Sequence, residues 1–278
     1  MQSKLTISPL RKFVYHGFNR GVTRPLNMNV VALKNLRELV IVRAAITDDI
    51  VSELAYGLVA LESLVLASCS MLKCIMISSI SLKQLRIEEV LELVEVTIDT
   101  PNLIEFWYCC KVETCLSLFK VLSHHNAKFS LLVNTMNDSI TTDWLVKLKK
   151  ILEETNFFQS LVIELSDSLE IEVEKDQLRN VVTGPPYKLR ELRETHAWDC
   201  QESPLTALDG LFWICHPDVL SITTSLQNFS AESILNFLKR KVECWRHPLK
   251  SIEVESIDES SLLSDPTEIE FRFRLSWH

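Results

Sequence analysis

One six-residue pattern, apolar-x-x-apolar-x-apolar, returns along this chain and restricts its folding more than any other feature. It stands at Leu36-Arg37-Glu38-Leu39-Val40-Ile41, at Leu61-Glu62-Ser63-Leu64-Val65-Leu66, at Leu82-Lys83-Gln84-Leu85-Arg86-Ile87 and at Leu103-Ile104-Glu105-Phe106-Trp107-Tyr108. Start-to-start spacings are 25, 21 and 21 residues. Further copies begin at Phe158 and Leu249, and degenerate ones lie at Phe129 to Val133, Leu189 to Leu192 and Val219 to Ile222. A short unit of this kind cannot bury its own apolar edge, so consecutive copies must stack.

Between the copies the apolar spacing becomes helical. Thr47 with Asp48 and Asp49 predicts a helix start, followed by Ile50, Val51, Leu54 and Leu58 on one face. The stripe Val112, Cys115, Leu116, Phe119 and Leu122 predicts a second helix, and Trp144, Leu145, Leu148, Ile151 and Leu152 after Thr141-Thr142 a third. Ser203-Pro204 predicts the start of another, and Ser230 caps one carrying Ile234, Leu235, Leu238 and Val242. Strand, turn and helix at these intervals define an α/β leucine-rich-repeat solenoid. Parallel strands form its concave face, and helices or irregular turns its convex face. An ordinary α/β sheet would also alternate strands with helices, but it would not repeat one six-residue pattern.

Residues 1–30 are expected to be a linker or capping segment and residues 31–278 the repeat domain, with 243–278 as its C-terminal cap. The cap includes "EIEFRFRLSW", whose alternation of Ile269, Phe271, Phe273 and Leu275 with charged residues predicts a half-buried strand. "VTGPPYK", residues 182–188, is the hinge or loop candidate.

Motifs for chemistry are sparse. Five glycines leave no phosphate-binding loop or dinucleotide fingerprint, and no G-x-S-x-G occurs. A net charge of -8 argues against nucleic acid as a partner, and the basic runs Lys147-Lys149-Lys150 and Lys239-Arg240-Lys241 predict solvated helix faces. No apolar stretch suits a membrane span or a secretory leader, so the eight cysteines are expected as reduced thiols in the cytoplasm or nucleus. Cys109, Cys110, Cys115, His124 and His125 form the one metal-like grouping, but no C-x2-C pair supports it. A Cys/His metal-binding protein or enzyme is the alternative this grouping leaves, and a truncated remnant without a ligand is a further one. Cys69 holds the ninth place of its copy, where such repeats use asparagine or cysteine at the turn. No catalytic residue, metal ligand or cofactor is expected.

The informative positions are instead those between the leucines, which point away from the core. The expected partner-binding row is Val40, Val65, Arg86, Trp107, Leu132 and Val162, with Trp107 as its aromatic anchor. The expected role is recognition of a protein target whose identity the residues do not specify.

Several segments carry a resemblance. "ITDDIVSELAYGLVALESLVLASCSMLKCIMISSISLKQLRI" resembles the repeat region of plant F-box/leucine-rich-repeat proteins, and "VEVTIDTPNLIEFWY" is similar to their Pro-Asn-Leu segment. "CWRHPLKSIEVE" and "FRFRLSW" resemble the FBD-related end of such chains. The resemblance implies a substrate-binding part of an SCF ubiquitin ligase receptor, in which an F-box binds a Skp1-type adaptor and the repeats bind the target. Ahead of Leu36 "RKFVYHGFNRGVTRPLNMNV" is similar to the linker that follows an F-box, so a repeat region without one is expected, and adaptor binding is not.

Overall fold

Each copy of the pattern places its spaced apolar residues on one side of a short strand, and the strand buries that side. The computed structural model describes residues 10–17, 33–90, 92–112, 118–122, 127–134, 139–165, 171–196, 205–224, 230–241, 249–258 and 269–278. Two compact units result. Unit 1 comprises Met1–Cys110 with Leu116–Lys128, and unit 2 comprises Lys111–Cys115 with Phe129–His278.

Unit 1 contains β1 (Lys12–His16), β2 (Glu38–Val42), α1 (Asp48–Gly57), β3 (Ser63–Ala67), β4 (Cys74–Ser78), β5 (Gln84–Glu88), β6 (Glu95–Asp99), β7 (Glu105–Cys110) and β8 (Leu118–Val121). Strands β1-β2-β3-β5-β7 form one parallel sheet and β4-β6-β8 a second. The register aligns the repeat copies without a slip. Leu39, Leu64, Leu85 and Phe106 are successive Cα partners, as are Ile41, Leu66, Ile87 and Tyr108. All eight are at most 1% exposed. The second sheet turns Ile75, Ile77, Val96 and Ile98 inward, all likewise buried. Phe119 joins the layers by edge-to-face contacts with Tyr108 at 5.0 Å and Phe106 at 6.1 Å between ring centroids.

The helix expected over Val112 to Leu122 does not form across its described C-terminal half. Residues 118–121 are strand β8, in which Phe119 pairs with Val96 and Val121 with Ile98. The open edge of β6 offers hydrogen-bond partners there, and that tertiary pairing overrides the helical spacing. Cys115 and Leu116 lie outside the described residues.

Strand exits share a backbone solution. Arg43, Ser68 and Glu89 each follow a strand with φ of 53°, 50° and 49°. This left-handed turn lets each N–H reach the next copy: Arg43 to Ala67 O (2.9 Å), Ser68 to Glu88 O (2.8 Å) and Glu89 to Cys109 O (3.1 Å). Gly17 makes the same bond to Val42 O, and a Cβ there would lie 2.2 Å from the Arg43 carbonyl oxygen. Cys69 is a buried turn residue, its thiol directed at the carbonyls of Ala67 (3.5 Å) and Ile41 (3.6 Å). Burial pushes that thiol above its ordinary pKa, so it stays protonated. Asp48, expected as simple first-turn charge, accepts the backbone N–H groups of Lys73 and Cys74 and ties α1 to β4.

Unit 2 contains β9 (Lys128–Asn134), β10 (Ile140–Thr141), α2 (Thr142–Thr155), β11 (Ser160–Leu165), β12 (Ile171–Glu172), α3 (Lys175–Val181), β13 (Tyr187–His196), α4 (Leu205–Ile214), β14 (Cys215–Thr224), α5 (Ala231–Lys241), β15 (Leu249–Asp258) and β16 (Ile269–Trp277). The expected helices near Thr141 and Ser230 are present, and Thr141 Oγ1 caps α2 by accepting the Trp144 N–H at 3.2 Å. Ser203 and Pro204, the expected start of α4, lie outside the described residues. Lys149 is not on a solvated face: it is buried, its ammonium bonded to Glu153 and to Pro185 O at 2.8 Å. That bond, with Tyr187 OH donating to Phe158 O at 3.0 Å, pins the loop expected as a hinge.

The sheet of unit 2 runs β9-β11-β13-β14-β16-β15. β16 pairs antiparallel with both β14 and β15. It therefore enters between two strands that the repeat pattern would make neighbours.

The column register predicts a sharp alternation in stability cost. Leu64→Ala is expected to lower the unfolding free energy by about 2–5 kcal/mol. Val65→Ala, one residue on and only partly buried, is expected to cost less than about 1 kcal/mol. Urea denaturation of the two variants checks it.

Candidate protein-binding face

The side of the unit 1 sheet opposite the leucine columns is lined by the positions between them. Val14, Val40, Val65, Arg86 and Trp107 are successive Cα partners on β1, β2, β3, β5 and β7. Four expected residues, Val40, Val65, Arg86 and Trp107, thus form one row, and all four keep solvent exposure. Val14 extends the row and is 43% exposed. It was hidden in a segment expected as linker or cap, although "KFVYH" alternates as a strand does.

Arg86 and Trp107 form the polar end of the row. The guanidinium lies 5.7 Å from the indole centroid, a cation–π contact, and also pairs with Glu88. These contacts restrain both side chains before any partner arrives, which lowers the ordering cost of binding. A flanking row holds Lys12 and Glu38, paired at 2.8 Å, followed by Ser63, Gln84 and Glu105. Chemically the face offers aliphatic surface, one oriented aromatic ring and paired charges.

Leu132 and Val162 differ. Both occupy the expected register, paired with each other on β9 and β11, but they are only 7% and 6% exposed. They are core residues rather than accessible anchors. Their own row continues through Arg193, Ser221 and Arg272, where the face of unit 2 is occupied by ion pairs. Arg193 reaches Glu191 (3.1 Å) and Glu270 (3.6 Å), and Arg272 reaches Glu255 (2.9 Å) and Glu191 (3.7 Å). Arg274 also bonds Glu255 at 2.5 Å, and Ser221 Oγ donates to Glu191 at 3.3 Å. Hydrogen bonds from Arg274 and Arg272 hold the Glu255 carboxyl below the usual carboxylate range. The repeat pattern places Ser251, Glu253 and Glu255 on this face, but it does not predict their cross-strand partners, because those partners come from the inserted strand β16.

Cys109 and Cys110 are buried, while Cys115, His124 and His125 lie outside the described residues. Among the described residues no grouping of three or more His, Cys, Asp or Glu could hold a metal ion, and no helix is long and apolar enough to cross a membrane.

Glu255 supplies a pH test. Its folded pKa is depressed, so its stabilising contribution is present above the unfolded value of about 4.3 and is lost as pH falls through the folded value. The native chain is expected to lose stability on acidification below about pH 4.3 more steeply than Glu255→Gln. Urea midpoints at pH 7 and in this acid range measure the difference.

Residues 19–166, more than half of the 278-residue chain, match the family model described as the At1g61320/AtMIF1 LRR domain. Neither the curated proteins nor the solved structures contain a match. The matched span includes the Val40–Trp107 row and the columns behind it. A domain of this kind suggests a protein-interaction module, and its family is typically non-catalytic. Periodicity, register and the family match agree: the chain belongs to the At1g61320/AtMIF1 leucine-rich-repeat family.

Proposed function

We propose that this chain recognises a protein target through the row Val14–Val40–Val65–Arg86–Trp107 of unit 1. The observation that carries the reading is the unbroken register of that row, which sets aliphatic side chains beside an oriented tryptophan on solvent-accessible sheet. Interfaces concentrate their energy in such anchors, whereas scattered exposed apolar residues do not form a site. Leu132 and Val162 play no direct part, since their side chains are buried.

The resemblance to F-box/leucine-rich-repeat and FBD-related chains supports a finer version. In it the chain performs target binding as the substrate-receptor part of an SCF-type ubiquitin ligase does. No cofactor, nucleic acid or membrane enters the reading. The setting is the cytoplasm or nucleus, where the buried thiols of Cys69 and Cys215 stay reduced.

Affinity capture with Trp107→Ala and Val65→Ser tests the reading. Truncating an anchor of this type costs about 2 kcal/mol or more, roughly a thirtyfold loss of affinity. Partners captured by the native chain are expected to fall away with either variant and to persist with Val254→Ser, a control on β15. An unchanged set of partners across all three variants contradicts it.

A further inference from the structure

A second surface lies at the strand-entry end of unit 1, separate from the Trp107 row. The residue after each column-opening leucine forms a ladder: Arg37, Glu62, Lys83 and Ile104 follow Leu36, Leu61, Leu82 and Leu103. Backbone bonds of 2.8 Å link each to the next: Glu62 N–H to Arg37 O, Lys83 N–H to Glu62 O and Ile104 N–H to Lys83 O. The side chains follow the same order. Glu62 is held between Arg37 at 2.7 Å and Lys83 at 2.9 Å, and the ladder ends on Ile104, 60% exposed.

Two residues before their leucines, Val59 and Ile80 are 70% and 77% exposed. Together with the ladder they line a groove of about 620 Å³. Asn102 Nδ2 donates to Ile80 O at 2.7 Å and so fixes the loop that presents Ile80. Isolated exposed aliphatics are ordinary on a protein surface, but here three converge on one groove beside a fixed charge array.

The charge array has a sign. Arg37 and Lys83 contribute two cations against one anion. Hydrogen bonding from Lys83 is the main cause that keeps the Glu62 carboxyl below its usual range, so it is ionised at neutral pH and the groove carries one net positive charge. The chain as a whole carries -8. An acidic segment is therefore repelled by most of the surface and favoured locally here.

We infer that this groove binds an extended acidic–aliphatic segment of a partner protein, with its aliphatic side chains on Val59, Ile80 and Ile104 and its carboxylate at Lys83 and Arg37. The site does not depend on the Trp107 row.

Selection of a displayed library of linear twelve-residue peptides on the purified chain tests this. One class of clones is expected to lose binding at least about tenfold on Ile80→Asp while tolerating Trp107→Ala, and to be enriched in Asp or Glu beside Leu, Ile or Val. A synthetic peptide from that class is expected to bind about fivefold more tightly to Glu62→Gln, more weakly to Lys83→Glu, and more weakly as salt rises. Far-ultraviolet circular dichroism confirms that these surface variants fold. The inference is overturned if no Ile80-sensitive class emerges, or if that class is basic or uncharged. It is also overturned if the purified chain self-associates and Ile80→Asp abolishes that association, which assigns the groove to a second copy. Loss of the Trp107-dependent partners alone leaves it standing.

Discussion

Stacking in register is the constraint on which the rest of this molecule depends. Leu39, Leu64, Leu85 and Phe106 bury one another only if their strands align, and so do Ile41, Leu66, Ile87 and Tyr108. A slip of one residue would turn both columns to water and the polar rows inward. Each fully buried side chain of this size contributes roughly 1.5–3 kcal/mol, so two aligned columns far outweigh any single surface interaction. The left-handed exits at Arg43, Ser68 and Glu89 belong to the same device, because each passes a hydrogen bond to the following copy. The proposed binding row inherits its alignment from the columns behind it.

Spacing between copies decides what covers the back of each strand. The 25 residues from Leu36 to Leu61 leave room for the ten-residue helix α1. The intervals of 21 from Leu61 to Leu82 and Leu103 accommodate only the five-residue strands β4 and β6, which then pair with each other. In unit 2 longer intervals return helices, including the fourteen-residue α2 between β9 and β11. The faces diverge too. Unit 1 keeps valines and Trp107 accessible, while unit 2 occupies its face with Glu191, Arg193, Arg272 and Glu255.

Much of this was legible in the sequence, and the exceptions have physical causes. Period and register were readable because the leucines repeat on a fixed side of every strand, which also placed Val40, Val65, Arg86 and Trp107. Strands β4 and β6 are announced only by the short alternations Ile75-Ile77 and Val96-Ile98, two apolar residues each. The 112–122 stripe satisfies a helical period, yet Phe119 and Val121 also fit a strand, and only the free edge of β6 decides between them. Nothing local in the sequence announces that Pro185 O, far along the chain, accepts a hydrogen bond from the Lys149 ammonium. The insertion of β16 between β14 and β15 is a long-range choice with no signature in either strand.

The account makes one face of one sheet the main recognition surface and assigns the opposite layer to support. Photo-crosslinking tests that claim most directly, with a benzophenone side chain placed at Val40, Val65 or Arg86 on the open row and at Met76 or Lys120 on the second sheet. The three row positions are expected to yield a common covalent adduct with the same partner, and the two support positions none. Adducts formed from Met76 or Lys120 but not from the row would contradict it.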